Sequence, residues 1–407
     1  MRVVQINSGI IGSTGNIMLD ISKKLTDNNI ENYVCYPKSR DNLTKEISNS
    51  ILIGNRYSRN LHLLLAKVTG LNGCFSIIDT IIFIKKIRKL KPDIIQLHNL
   101  HNCYINLPIL FKYLKKSNVK VVWTLHDCWA FTGHCPYFTL KKCNKWKRGC
   151  YSCPSYKEYP QSSIDLSSFM WKKKKKWFTG INDLKIITPS KWLANLVKES
   201  FLNQYEVSVI YNGINLNVFK KSISDFRKKY CLEEKFIILG VSFSWGIRKG
   251  LDIFIDLANS LDKDKYKIVL IGTNDKVDKI LPSSIISIHT INNQQELAEI
   301  YSTANVFVNP TREEVLGLVN IESNACGTPV ITFNTGGSPE CINHDSGEIV
   351  FSNTVEELIS KIQLLSSKKK DDSKCIESAK RFDKNKKYLE YLNLYKNIIK
   401  EKNNESI

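Results

Sequence analysis

Two carboxylates stand out by their spacing and by what surrounds them. Glu314 and Glu322 have seven residues between them, inside the stretch from Ala304 to Glu340. Val306 to Asn309 is a short β-rich run closed by Pro310. Leu318 to Ala325 is an apolar helical stretch stopped by Gly327 and Pro329, and Pro329 to Phe333 reads as a second buried strand. That order is a βαβ unit, with parallel strands, a right-handed crossover and loops that open at the strands' carboxyl ends. Glu314 lies in the first of those loops and Glu322 inside the helix. If the helix opens near Gly317, Glu322 stands roughly 7 Å along the axis from its mouth. The unpaired N–H groups of the first turn, from Leu318 onward, favour an anion, most often phosphate, and Gly317 lets backbone approach it closely. A carboxylate, a phosphate cradle and a second carboxylate suit an elongated ligand made of a hexose, a diphosphate and a ribose. Exposed glutamates are common, so the neighbours of the pair have to decide.

Those neighbours are Gly327-Thr328-Pro329-Val330 and Thr335-Gly336-Gly337-Ser338-Pro339-Glu340. With Glu314 and Glu322 they resemble the donor-site signature of the family 4 retaining glycosyltransferases, in which E-x7-E precedes a G-T-P-V strand and a T-G-G-x-P-E loop. One departure is visible: the family's usual E-G-F-G is here Glu314-Val315-Leu316-Gly317. The resemblance implies that Glu322 holds ribose hydroxyls and Glu314 the donor sugar, with Gly317 and Leu318 at the phosphates. It also implies a GT-B fold, an α/β arrangement of two Rossmann-like doubly wound domains facing across a cleft.

The elements that would position such a site alternate along the chain. Val3 to Asn7 is an opening strand, followed by Gly9, Gly12 and Gly15 and an apolar helical pattern through Ile17, Ile21 and Leu25. The spacing G-x-x-G-x-x-G is not the dinucleotide fingerprint. It resembles the family's N-terminal glycine loop, which places Gly12 and Gly15 toward donor phosphate and acceptor. Strands at Tyr33–Tyr36, Asp93–His98 and Val119–Leu125 and helices around Ile77–Leu90 and Leu107–Lys115 continue a doubly wound pattern. The strand ending at Leu125 delivers His126-Asp127 to a carboxyl end, where active residues of open sheets gather. A histidine there is as often structural as catalytic. By resemblance His126 is the family's active-site histidine, and His98 and His101 are left as acceptor-side candidates.

Cys135, Cys143, Cys150 and Cys153 follow, spaced x7, x6 and x2. Cys-x2-Cys beside two further cysteines points to a structural zinc before a disulfide framework, with four packed or exposed thiols as the plainer alternative. Phe169–Phe178 then holds five consecutive lysines, Lys172 to Lys176, between aromatic residues. A lysine run is usually a solvated face, yet aromatic flanks also suit a membrane interface. In the second half, the strand-to-helix loop from Ser242 to Gly250 carries Arg248 and Lys249, cations able to stabilise a diphosphate leaving group. The family's customary arginine position is Ser244 here. Residues Leu358 to Ile399 read as helical.

At 407 residues and 43% hydrophobic content the chain can bury two cores. The expected division is 1–205, with a cysteine-rich insertion at about 128–160, then 206–385, and a C-terminal helix over 386–407 crossing back to the first domain. The hinge is expected near Tyr211-Asn212-Gly213-Ile214, where Asn-Gly breaks the pattern. The net charge of +20 is uneven: residues 1–205 hold 32 Lys+Arg against 12 Asp+Glu, and residues 206–407 hold 27 against 27. Such asymmetry points to a polyanionic surface, and diffuse lysines without a reading motif favour anionic lipid over nucleic acid. No stretch reaches the span of a membrane helix, so the expected location is cytoplasmic and peripheral on the inner membrane face. The expected activity is retaining transfer of a hexose from a UDP- or GDP-sugar to a glycan or polyprenyl-diphosphate-linked acceptor, in capsule or exopolysaccharide assembly, with no cofactor required for catalysis. A sugar-nucleotide binder without turnover, or a nucleic-acid-binding protein, are the rivals.

Overall fold

The alternation of apolar strands and amphipathic helices folds into two parallel sheets. The computed structural model describes residues 1–39, 42, 47–368 and 370–404. The chain divides into one unit made of Met1–Tyr211 with Lys387–Ile407 and another made of Asn212–Lys386. In the first, β1 (Arg2–Ile6), β2 (Glu31–Pro37), β3 (Ser50–Ile53), β4 (Ile94–Leu97), β5 (Lys120–Thr124), β6 (Leu184–Thr188) and β7 (Glu206–Val209) lie in the order β3-β2-β1-β4-β5-β6-β7. In the second, β8 (Phe236–Val241), β9 (Tyr266–Ile271), β10 (Ile286–Ile288), β11 (Val306–Asn309), β12 (Val330–Phe333) and β13 (Gly347–Val350) lie in the order β10-β9-β8-β11-β12-β13. The central strands β4, β5, β11 and β12 are buried at every residue. Continuous Val/Ile runs are what a parallel sheet covered on both faces requires.

In each sheet the strand order reverses once near the middle, between β1 and β4 and between β8 and β11. Loops after strands at such a switch point splay apart and leave room for a ligand. The residues that emerge there are Asn7–Gly15 and His98 in the first unit, and 242–250 and 310–317 in the second.

The final helix, Lys384–Asn404, begins in the second unit and continues in the first. Its Tyr388, Tyr391, Leu392, Tyr395 and Ile398 join Val3, Ile17, Ile21 and Leu25 in one buried cluster. The helical reading of Leu358–Ile399 is corrected to three helices, Val355–Ser366, Asp372–Ala379 and Lys384–Asn404. Asp371 starts the middle one by accepting the Ser373 N–H, an N-cap that resets the backbone. Residue 369 of that span lies outside the described residues. Elements with no counterpart in the sequence reading include β3 and the helix Arg56–Thr69 that follows it, β10 and β13.

The lysine run also differs from expectation. It lies on the helix Ser167–Phe178, and Lys174 is 0% exposed. Its Nζ donates to the Trp129 carbonyl at 2.8 Å and the Thr132 carbonyl at 3.1 Å and sits 3.3 Å from the centre of the Trp129 ring. Burial pulls its pKa down to about 7. Trp171 is buried as well, donating to the Trp146 carbonyl, and Phe178 packs on Phe111 and Trp123. One lysine and two of the flanking aromatics therefore fasten the 128–150 segment to the sheet, because the helical period turns every third or fourth residue of the run inward. An unbroken polycationic face is not formed.

Candidate active site

In the second unit β11 ends at Asn309, and the chain loops through Glu314 to the helix Leu318–Ala325. Gly317 opens that helix with φ +86°, in the left-handed region, and no side chain caps the first turn. The turn has no acidic residue either, so its amides and positive dipole end are available to an anion. The Ser338 hydroxyl is buried, has no hydrogen-bond partner within the described structure, and would lie 3.4 Å from a Cβ placed on Gly317. It adds an uncommitted donor beside the same turn.

Glu314 is fixed from three sides. Its Oε2 accepts from Lys249 Nζ at 2.6 Å, both side chains being about one-fifth exposed. Its Oε1 accepts the Val315 N–H at 3.1 Å, and its carbonyl accepts the Gly337 N–H at 3.3 Å. Gly336, at φ +59°, lies so close that a Cβ there would stand 1.7 Å from the Glu314 carbonyl oxygen. The T-G-G loop is thus a clamp on the backbone of Glu314, and only glycine fits it.

The loop bearing Arg248 and Lys249 is held to the same place. Arg312 N–H donates to the Arg248 carbonyl at 2.9 Å, and the Arg312 guanidinium grips Asp252 with two bonds of 2.8 and 2.7 Å. Such a two-pronged pair fixes geometry as well as charge. Gly250, at φ +73°, packs where a Cβ would meet Pro310. Arg312, Asp252 and the buried Asn309–Asn320 pair, joined at 2.8 Å, position the site and were absent from the sequence reading. Their signal was weak, since an arginine and an aspartate sixty residues apart show no period.

Glu322 is half-buried and accepts from the Tyr301 hydroxyl at 3.3 Å. Burial raises its carboxyl to about 7, against the lowering effect of that bond. A carboxylate so poorly solvated is set to accept hydroxyl donors from a ligand.

In the first unit the loop after β1 brings Gly12 to the start of the helix Gly12–Asp27, at φ +79° and in open space. No side chain caps that helix. Gly15 is different: a Cβ there would stand 2.3 Å from the Ile10 backbone, so its role is close packing of the turn rather than contact with a ligand. His126 follows β5 and lies 3.0 Å from His98, Nε2 to Nδ1. His98 Nε2 lies 3.3 Å from Gln5 Oε1, and Gln5 Nε2 donates to the Met18 carbonyl. The Gln5 oxygen only accepts, so His98 carries its proton on Nε2 and offers Nδ1 as acceptor. His126 must then be protonated on Nε2, which leaves its Nδ1 lone pair to accept from a hydroxyl. Burial pulls both imidazoles down, His126 to about 4 and His98 well below its ordinary value, keeping them neutral. His101 pairs instead with Asp127 at 2.9 Å. Burial works against the Asp127 carboxylate, yet the charge and hydrogen bond of His101 hold it below its ordinary range. His98 is therefore a positioning group for His126, and His101 the partner of Asp127.

Both halves match described families. Residues 14–218 match Glycosyltransferase Family 4, and residues 222–382 match Glycosyl transferases group 1. The first span is half of the chain. The chain belongs to glycosyltransferase family 4. Among its relatives, a protein named as a colanic acid biosynthesis glycosyl transferase of Escherichia coli (strain K12) is 22% identical over 66% of this chain and 66% of its own length. A protein of the cps region of Klebsiella pneumoniae is 25% identical over 84% of each. The N,N'-diacetylbacillosaminyl-diphospho-undecaprenol alpha-1,3-N-acetylgalactosaminyltransferase of Campylobacter jejuni is 26% identical over 51% of this chain and 58% of its own. In fold the chain is similar to sucrose-phosphate synthase from Thermosynechococcus elongatus, with TM-score 0.69, 18% identity and coverage of 98% and 99%. It is also similar to Anabaena HepE solved with UDP-glucose, with TM-score 0.67, 16% identity and coverage of 98% and 100%. These likenesses are of fold, two Rossmann-like parallel-sheet domains.

In the four-cysteine loop of this family 4 chain, Cys135 feels Cys150 and Cys153, and Cys150 feels Cys143 and Cys153. Cys135 and Cys153 form a thiol pair in which Cys135, donating and buried, is pushed up and Cys153, accepting, is pulled down. Cys150 Sγ accepts the Gly133 N–H at 3.1 Å. Among the described residues, three or more ligand-type groups come within 4.8 Å of one another only at Asp275, Asp278 and His289. Lys174 and the Trp146–Trp171 hydrogen bond fasten the segment.

Proposed function

We propose that this chain is a retaining glycosyltransferase that moves a hexose from a UDP- or GDP-sugar to a glycan or polyprenyl-diphosphate-linked acceptor in the assembly of a surface polysaccharide, working peripherally at the inner membrane face. The observation that carries the reading is the Lys249–Glu314 pair beside an uncapped helix mouth, with Glu322 on the same helix. Glycosyl transfer needs charge stabilisation of the departing diphosphate more than it needs a proton-shuttling carboxylate pair. Lys249 and Arg248 supply fixed positive charge, the amides from Leu318 onward supply dipoles, and Glu322 takes the ribose hydroxyls. Glu314 binds the sugar and holds Lys249 in place. His126 Nδ1 accepts from a sugar hydroxyl. The acceptor oxygen bonds to the anomeric carbon on the leaving-group side as the carbon–oxygen bond to the diphosphate breaks, and the acceptor proton passes to the departing phosphate oxygen. The Campylobacter relative's name, with its diphospho-undecaprenol acceptor, supports the acceptor class.

Incubating the protein with UDP- and GDP-sugars and lipid-linked acceptor, then recording nucleoside diphosphate release and the product's anomeric coupling by NMR, tests this. Release dependent on acceptor, with an α product from an α donor, is expected. Tight donor binding without release would support a binding protein instead.

A further inference from the structure

Two helices of the first unit turn apolar residues outward. On the helix Arg56–Thr69, Tyr57, Leu61, Leu64 and Val68 follow the four-three-four spacing of a single stripe, and all are exposed, Tyr57 at 85% and Leu64 at 59%. The opposite side of that helix buries His62 and Ala66. A surface helix ordinarily shows the reverse polarity. On the helix Ile77–Leu90, Ile77, Ile78, Ile81 and Ile82 are exposed, Ile78 at 73%, and the exposed side then continues as Lys85, Lys86 and Lys89. The two helices are tied at one point: His62 Nδ1 lies 2.8 Å from the Ser76 hydroxyl, so the first turn of the second helix stands beside the middle of the first.

Apolar exposure on this scale marks a contact surface, and its charge says for what. The two helices carry Arg56, Arg59, Lys67, Lys85, Lys86, Arg88 and Lys89, and their one acid, Asp79, packs where a Cβ on Gly54 would stand 2.7 Å from its carboxylate. A second copy of the chain would bring like charges together. An anionic bilayer would receive both parts, apolar side chains at the acyl boundary and cations among the headgroups.

We infer that this apolar and basic face docks on an anionic lipid bilayer, and that it takes the place of the lysine run as the membrane contact. The inference rests on the lipid-linked acceptor reading and names the surface that serves it.

Flotation with phosphatidylcholine vesicles, with or without phosphatidylglycerol, tests it. Three variants are compared with wild type: L61S/L64S/I78S, K85Q/K86Q/K89Q, and K172Q/K173Q/K175Q/K176Q, which spares Lys174. All change exposed or half-buried side chains, and circular dichroism checks their folding. Wild type is expected to float with anionic vesicles only, more at low salt. The serine variant should lose roughly ten-fold or more of that binding, the 85–89 variant should lose its low-salt enhancement, and the 172–176 variant should bind as wild type. The docking is overturned if the serine variant floats like wild type, if wild type fails to float, or if wild type is an oligomer that the serine variant dissolves into monomers. Donor binding is titrated in the same samples. Failed flotation with intact donor binding refutes the docking alone, whereas absent donor binding refutes the transferase reading whatever floats.

Discussion

Glu322 and His126 show how much of the proposed chemistry depends on a few desolvated atoms. The Glu322 carboxyl stands at about 7 where an ordinary glutamate is near 4.5. A carboxyl raised on folding takes up a proton, so its contribution to stability is complete below about 4.5 and is lost as pH rises through about 7. Thermal unfolding should therefore fall in temperature as pH climbs through that window, and the slope should flatten in Glu322→Gln. Donor hydroxyls prefer the ionised form, so nucleotide affinity should rise over the same window in wild type and stay level in the variant. A level wild-type profile would show that Glu322 does not face the ligand. For the histidines, nitrogen NMR should find His98 and His126 both neutral and both protonated on Nε2. In Gln5→Leu, His126 should lose its single tautomer and transfer should slow while nucleotide binding stays unchanged. An Nδ1-protonated His126 in wild type would break the proposed relay.

At the scale of elements, the site is a set of loops clamped by glycines. Gly336→Ala would force a Cβ onto the Glu314 carbonyl from a backbone at φ +59°. The strained backbone should cost about 1 to 3 kcal/mol, and displacement of Glu314 should slow transfer more than it weakens nucleotide binding. Wild-type turnover in that variant would remove the clamp from the account. This βαβ unit was legible in the sequence because its signals are local: a buried strand, a glycine at the helix mouth, and turn glycines at fixed offsets. The strand β3 and the helix Arg56–Thr69 were not, because a helix whose apolar stripe faces outward offers no core pattern to read. The lysine run misled for a related reason. Five identical residues hide the period that buries Lys174, and nothing in the run distinguishes it from Lys173 or Lys175.

At the scale of the molecule, each unit is a parallel sheet with one reversal of strand order, and each presents an uncapped helix N-terminus after the strand at that reversal. The doubly wound fold followed from the repeated strand and helix pattern, and the candidate pair Glu314 and Glu322 was singled out by its spacing and its family likeness. The network of Arg312, Asp252, Asn309 and Asn320 that supports them is long-range and emerged only from the folded chain. The charge excess confined to residues 1–205 belongs to the unit that carries the outward apolar helices, not to the unit that carries Glu314 and Glu322. Calorimetric titration of the full chain with UDP- and GDP-sugars, alongside Glu322→Ala, tests the central claim most directly. One nucleotide sugar should bind wild type at a single site, and the variant should bind it about 1 to 3 kcal/mol more weakly, the size of a charged hydrogen bond. Equal affinity in the two proteins, or no binding of any nucleotide sugar to wild type, would contradict a donor site built on Glu314 and Glu322.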